Sequence, residues 1–410
     1  MKLPTATNGI NPAGTTVHSH AFHLGLGEAT GAIADLGILV PLATALILVN
    51  GLDASAVLVC AGLLVLATGV VFRTPFPVQP LKALTAVAVA QKLAPGVIHA
   101  AGLEVAAILL VLSIGRLADL IAKLFLKPVI RAVQLGVGAL LVVTAFKLVA
   151  KPPGVFAGSV AGPWAWILLV AVVGLAIEAG RSRRYWLALA ALVLGSLAIV
   201  LTHPPVLASP ELWVPRVSVP TAANFATAFL LLVVPQIPLT FGNAVVATDA
   251  LAHEYFGPAA GRVTPSRICL STALGNLVSG LLGGMPMCHG SSGLTAHVRF
   301  GARTAGMNLL LGGVLLATGL FLGPQVPALL GSLPVWILAG FLIYAGARHA
   351  LLVIDLRGWE LAIAVGSAAT GIWTGNLAVT AGLALVGAHL ARGLQRRARR
   401  RSVTHVAPLP

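Results

Sequence analysis

The sequence predicts an all-α polytopic membrane protein, with about fourteen transmembrane segments in two inverted seven-span repeats and short, broken third and tenth spans. Three observations predict it. Of 410 residues, 58% are hydrophobic and only 9% charged, with a mean hydropathy of +0.97; a soluble chain carries roughly 25% charged residues. The apolar runs are continuous and rich in Leu, Ala, Val and Gly, whereas a membrane β-barrel alternates over segments of about 10 residues. Two Pro- and Gly-rich breaks interrupt those runs, Thr74-Pro75-Phe76-Pro77-Val78-Gln79-Pro80-Leu81-Lys82 and Gly283-Gly284-Met285-Pro286-Met287-Cys288-His289-Gly290-Ser291-Ser292.

A helix needs about 20 apolar residues to cross a bilayer. After a tail over 1–28, candidate spans lie near 29–50, 55–72, 78–92, 97–118, 128–150, 162–179 and 185–202. A polar, Pro-rich connection over 203–221 follows. The second set lies near 222–250, 266–284, 289–300, 303–323, 326–347, 357–371 and 373–391, and a basic tail, 392–410, closes the chain. The first twenty residues lack the charged start and apolar core of a cleaved signal peptide.

The net charge is +15, and its distribution sets orientation. Connections after even-numbered spans hold Arg73, then Lys123, Lys127 and Arg131, then Arg181, Arg183 and Arg184. In the second half they hold Arg262 and Arg267, Arg299 and Arg303, and Arg348 and Arg357. Opposite connections hold little beyond Lys92, Lys151 and Arg216. This bias places both termini in the cytoplasm. The arginine-rich stretch Arg392 to Arg401 reads as an anchor facing anionic lipid, since no nucleic-acid-reading module accompanies it. Cys60, Cys269 and Cys288 are isolated, which suggests neither disulfides nor a metal site. No cofactor is expected.

The breaks carry the chemistry. Proline cannot donate a helical hydrogen bond, and freed backbone at membrane depth survives only inside protein or along a wet cavity. Two such breaks in matching positions of two halves point to a transporter's binding site. A weak repeat supports the match: Pro77-Val78-Gln79 precedes Leu84-Thr85-Ala86, and Pro286-Met287-Cys288-His289 precedes Leu294-Thr295-Ala296. Segment one is expected to run extended through Phe76 to Pro80 and segment two through Met285 to Cys288, with helices starting near Leu81 and Gly290. An exposed helix start offers unpaired N–H groups and partial positive charge, hence an anion site. Gln79, Ser291, Ser292 and His289 supply side-chain donors, with His289 equally placed to pack behind the site, Gly290 admits close backbone approach, and Lys82 adds a positive charge one turn into the helix. The alternative is a Pro-kinked helix whose serines bond their own backbone.

Asp35, in Gly31-Ala32-Ile33-Ala34-Asp35-Leu36-Gly37, is a carboxylate that either carries a proton or pairs with Lys82, or makes a structural hydrogen bond near the membrane surface. Gln236, Thr240 and Asn243 in the eighth span either line the same pocket or bond between helices. Lys147, Glu104 and Glu178 read as residues near span ends.

The strings Asp35-Leu36-Gly37, Pro75 to Lys82, Pro235-Gln236-Ile237-Pro238-Leu239-Thr240-Phe241-Gly242-Asn243 and Met285 to Gly290 together resemble the molybdate-transporter family, a relative of the sulfate permeases. The resemblance runs from about Gly31 to His389. It implies uptake of molybdate, or of sulfate or tungstate as similar oxyanions, on the fold shared with sulfate and uracil permeases. It also implies a core domain (29–122 and 222–323) that carries substrate, including a site at Pro80, and slides like an elevator. The gate domain (123–202 and 324–391) would stay fixed and often forms a homodimer contact. Many sulfate permeases end in a soluble regulatory domain. Here only Arg392 to Pro410 follow the last candidate span, which favours the molybdate branch. A proton or another ion is the expected coupling partner, and a bacterial inner membrane the expected location. Competing classes are an organic-anion or nucleobase transporter and an anion channel; the chain holds no metal-spaced His/Glu pair or Ser/Lys dyad of an intramembrane enzyme.

Overall fold

The computed structural model describes residues 22–34, 36–152, 154–156, 163–182, 184, 186–206, 209, 211–374 and 377–404. Asp35 lies outside them. The first half holds α1 (Leu26–Ile33), α2 (Leu36–Leu48), α3 (Ala54–Phe72), β1 (Gln79–Pro80), α4 (Lys82–Ala90), α5 (Pro95–Ser113), α6 (Leu117–Ala122), α7 (Lys127–Ala150), α8 (Pro163–Ser182) and α9 (Trp186–Thr202). The second holds α10 (Ala222–Ala228), α11 (Val234–Leu239), α12 (Ala247–Phe256), α13 (Pro265–Leu282), β2 (Met287–Cys288), α14 (Ser291–Arg299), α15 (Gly306–Phe321), α16 (Val326–Gly331), α17 (Val335–Ala350), α18 (Gly358–Trp373) and α19 (Leu377–Thr404). Each of the fourteen candidate spans contains helix. Among the described residues, α3, α5 with α6, α7, α8 and α17 with its continuation to Asp355 are long and apolar enough to cross a membrane alone.

Local chemistry sets the helix ends. Asp53 caps α3 by accepting the N–H of Ala56 at 2.6 Å, and Thr264 caps α13 by accepting that of Arg267 at 3.3 Å. These two helices precede the two breaks and end alike. Each closes on a left-handed residue, Arg73 (φ 58°) and Gly283 (φ 78°), whose N–H returns to Gly69 and Ser279. Arg73 is not glycine, so its left-handed backbone carries a local cost.

α10, α11 and α12 form one long helix interrupted by π-helical turns at Phe229–Val233 and Thr240–Val246. Pro235 and Pro238 lack the N–H that an α-helical ladder needs, and wide π turns of this kind concentrate at functional sites. Glu104 differs from its expected place near a span end. It is the tenth residue of α5, about 13 Å from either end, because the helix begins already at Pro95, which suits the first helical turn.

Two large apolar clusters and a smaller one, the last joining α7 to α18 and α19, make up the core. The first gathers buried side chains of α1 to α6 with α10 to α15, among them Phe72, Phe76, Leu84, Leu251 and Met287. The second is built on α7, α8 and α17, with Val137, Leu141, Leu169, Ile337 and Phe341. Arg131 of α7 ties these two. Its Nη2 donates to Glu254 of α12 at 2.9 Å and to Asp355 at 2.6 Å, and its Nη1 donates to Gln134 at 2.9 Å. At 5% exposure the guanidinium needs these partners. Within the first cluster, Glu28 of α1 ties to α15: its buried carboxylate accepts the N–H groups of Arg303 and Thr304, each at 3.0 Å, and of Met307 at 3.3 Å.

Candidate functional site

The two breaks meet. β1 and β2 pair antiparallel, Gln79 opposite Cys288 and Pro80 opposite Met287, and the Leu81 N–H donates to the Pro286 carbonyl at 3.0 Å. Two asparagines hold the extended strands in place. Asn308 of α15 accepts the N–H of Phe76 at 3.0 Å and donates to its carbonyl at 2.7 Å. Asn276 of α13 treats Met287 the same way, at 2.8 and 2.7 Å. A carboxamide presents a donor and an acceptor side by side, so each asparagine stands in for a neighbouring strand and satisfies buried backbone that would otherwise cost about 1–3 kcal/mol per group.

From this crossing α4 starts after Leu81 and α14 after Gly290, neither with a side-chain cap of its own. Their starts lie side by side. Lys82 Nζ donates to Gln79 Oε1 at 2.7 Å and to Ser292 Oγ of the other half at 3.4 Å. Gly290 lies against the same group: a Cβ there would overlap Gln79 Oε1 and stand 3.1 Å from Lys82 Nζ. Lys82 is the first residue of α4, not one turn in as expected from sequence, because Leu81 with φ −65° and ψ 103° is still extended.

The other expected residues surround this cluster in different roles. Gln236 Oε1 accepts the N–H of Leu84 at 2.8 Å, and its Nε2 donates to Thr240 Oγ1 at 2.9 Å. It caps α4 from a distant helix. Ser291 Oγ donates to Asn243 Oδ1 at 2.6 Å. The His289 ring turns elsewhere: Nδ1 lies 2.9 Å from the Pro77 carbonyl, Nε2 lies 3.1 Å from Ser271 Oγ, and the ring meets Phe76 edge-on at 5.0 Å. The carbonyl of His289 accepts from Thr248 at 2.7 Å. In this arrangement Gln79, Lys82, Gly290 and Ser292 converge, Pro80 shapes the crossing, and His289 braces it.

His349 of α17 escaped the sequence reading, where Arg348 beside it counted only as a charge signal. It is fully buried, with Nε2 3.2 Å from Ser291 Oγ and Nδ1 2.9 Å from Thr295 Oγ1. It joins the second apolar cluster to α14. The available signal was a lone imidazole in an apolar span.

The serines separate by experiment. Ser292→Ala is expected to raise the apparent KM for the transported ion about tenfold, the loss of one hydrogen bond to a charged group. Ser291→Ala strands Asn243 and His349 and is expected to lower the melting temperature as well, by about 1–3 kcal/mol of stability. Uptake kinetics and thermal melting of the two variants, and of the double variant, check this; an unchanged KM in the double variant would move the ion elsewhere.

The surroundings match known proteins. A family described as "Molybdate transporter of MFS superfamily" matches residues 27–141 and 228–348, which include both breaks, Gln236 and His349's neighbour Arg348. The chain belongs to this molybdate-transporter family. Molybdate transporter 2 of Arabidopsis thaliana is 31% identical over 374 residues, 81% of this chain and 80% of that one. Molybdate transporter 1 of Chlamydomonas reinhardtii is 30% identical over 481 residues, 88% of this chain and 92% of that one.

Among solved structures, the transmembrane domain of the cyanobacterial bicarbonate transporter BicA aligns with TM-score 0.57 at 17% identity, covering 88% of this chain and 96% of that one. Murine Slc26a9, an anion transporter in its inward-facing state, aligns with TM-score 0.54 at 14% identity, covering 96% and 74%. These likenesses show the fold, two inverted seven-span repeats in a membrane protein. Family membership and the named relatives make the chain a transporter and not an enzyme.

Proposed function

We propose that the chain carries molybdate, or a similar tetrahedral oxyanion such as sulfate or tungstate, into the cell as a secondary active transporter. The observation that carries this reading is the convergence of Lys82, Gln79, Ser292 and Gly290 on the starts of two half-helices from opposite repeats. Helix starts favour an anion, and Lys82 supplies a full charge beside them. The names of the relatives supply the oxyanion.

The transport cycle is read as an elevator. The α1–α6 and α10–α15 body moves against the α7–α9 and α17–α19 body, and the latter forms the homodimer contact. The larger apolar cluster, built on α1 to α6 and α10 to α15, supports this division, and Ile38, Val40, Ala296 and Phe300 of that body pack against the α7, α8 and α17 cluster where the two bodies meet. Asp35 is read as the proton carrier, and both termini as cytoplasmic in a bacterial inner membrane.

Calorimetry on the purified chain tests the substrate. Micromolar or tighter molybdate binding that excess sulfate barely displaces supports the reading. Equal displacement by sulfate keeps the oxyanion pocket and removes the molybdate label, and binding of neither ion by folded protein overturns it. For coupling, Asp35→Asn is expected to abolish the dependence of uptake on a pH gradient, measured in vesicles with the pH set on each side. Preserved dependence would take the proton away from Asp35.

A further inference from the structure

Between α3 and α13 runs an open groove of about 410 Å³, lined by Leu63, Ala67, Leu274 and Val278 among other apolar side chains, with Ser271 along it and Arg267 at one end. The helices are antiparallel: Val71 lies at the Arg267 end, and Cys60 lies beside Gly284 and Ser279 at the other. The lined stretches, Cys60 to Val71 and Arg267 to Val278, each rise about 16 Å. Half the hydrocarbon thickness of a bilayer is about 15 Å. The groove is therefore one leaflet deep.

Its mouth is basic. Arg262 Nη1 donates to the Val71 carbonyl at 3.4 Å, and Arg267 Nη1 donates to the Arg262 carbonyl at 3.3 Å, so both guanidiniums gather at the end of α3, which Arg73 closes. All three arginines are exposed, and among the described residues none pairs with a carboxylate. The Asp119 carboxylate beside Ser266 is occupied by Arg116 and the Ser266 N–H.

We propose that this groove holds one acyl chain of an anionic phospholipid, with its phosphate among Arg73, Arg262 and Arg267. Apolar lining of leaflet depth fits the chain, and basic pockets between spans favour acidic head groups. The chain lies along Ser271, whose hydroxyl bonds His289, so lipid in the groove backs the brace of the crossing from outside. The proposal rests on the membrane placement of the protein and not on the identity of the transported ion.

The test reconstitutes the full chain in phosphatidylcholine vesicles containing a minor share of phosphatidylglycerol. The protein is then re-extracted in mild detergent and the retained lipids are quantified by mass spectrometry. Phosphatidylglycerol is expected to be enriched over its share in the vesicle. Arg262→Gln and Arg267→Gln should each lower the enrichment about fivefold. Ala67→Phe, which fills the groove without touching charge, should lower it too, with Leu63→Trp as a second filler should the first variant melt early. No enrichment in the wild type, or equal enrichment in all variants, overturns the proposal. Loss in the arginine variants with full retention in both fillers also overturns it, since surface charge alone would then hold the lipid. Molybdate plays no part in the readout, so failure here and failure of the transport reading are distinguishable.

Discussion

Lys82→Ala is expected to lower kcat/KM for oxyanion uptake about 10- to 150-fold while expression and melting temperature stay at wild-type values. The magnitude is that of a charge-assisted hydrogen bond, about 1.5–3 kcal/mol. The reason stability should survive is positional. Lys82 opens α4, where the helix dipole already places positive charge, and a cation there is unfavourable for the helix itself. Removing it relieves α4, which offsets the loss of its bonds to Gln79 and Ser292. A residue that works against its own helix and faces a serine of the other repeat at 3.4 Å is well explained by an anion between them. Uptake assays on protein matched for surface expression decide it; wild-type uptake would reduce Lys82 to a tie between the breaks.

Gly290→Ala is expected to abolish transport to below about a tenth of wild type and yet to fold normally. Gly290 has φ −68° and ψ 127°, an extended geometry open to any residue, so alanine meets no backbone penalty. Its Cβ would instead collide with Gln79 Oε1 and crowd Lys82 Nζ at 3.1 Å. The end of the Gln79 side chain can swing away, which spares the fold but breaks its bond to Lys82. The damage therefore falls on the cluster and not on the scaffold. Normal melting with lost uptake is the expected pair of results; normal uptake would show that the ion does not pass this point.

The breaks were legible because proline and glycine act on their own backbone. Pro77, Pro80 and Pro286 each remove a backbone donor that a continuous helix would need, and the apolar flanks say that the disruption lies in the membrane. The positions of the two helix starts followed from the same local rule. What escaped was held by partners far away in sequence. Gln236 caps an N–H 152 residues distant, and Asn308 clamps Phe76 across 232 residues. A single asparagine in an apolar run, such as Asn276, looks the same whether it bonds a helix neighbour or a strand. His289 stood in the right segment, but its ring direction depends on Ser271 and the Pro77 carbonyl, which no spacing rule supplies. The π turns were hidden for a related reason: Pro235 and Pro238 announce a missing donor without saying whether the helix will kink or widen.

The Gln79–Pro80 and Met287–Cys288 strands come from opposite halves of the chain yet share backbone bonds, and Lys82 stitches the join with a side chain. They act as a rivet through two plates. A clamshell in which the amino-terminal half swings away from the carboxy-terminal half would shear that rivet and expose its backbone inside the bilayer. On the elevator reading proposed above, the halves of the sequence are not the moving bodies, and the sliding plane would cut crosswise through both. On its far side stands His349, whose two bonds to Ser291 and Thr295 are seams that such a slide would open and reseal at every stroke.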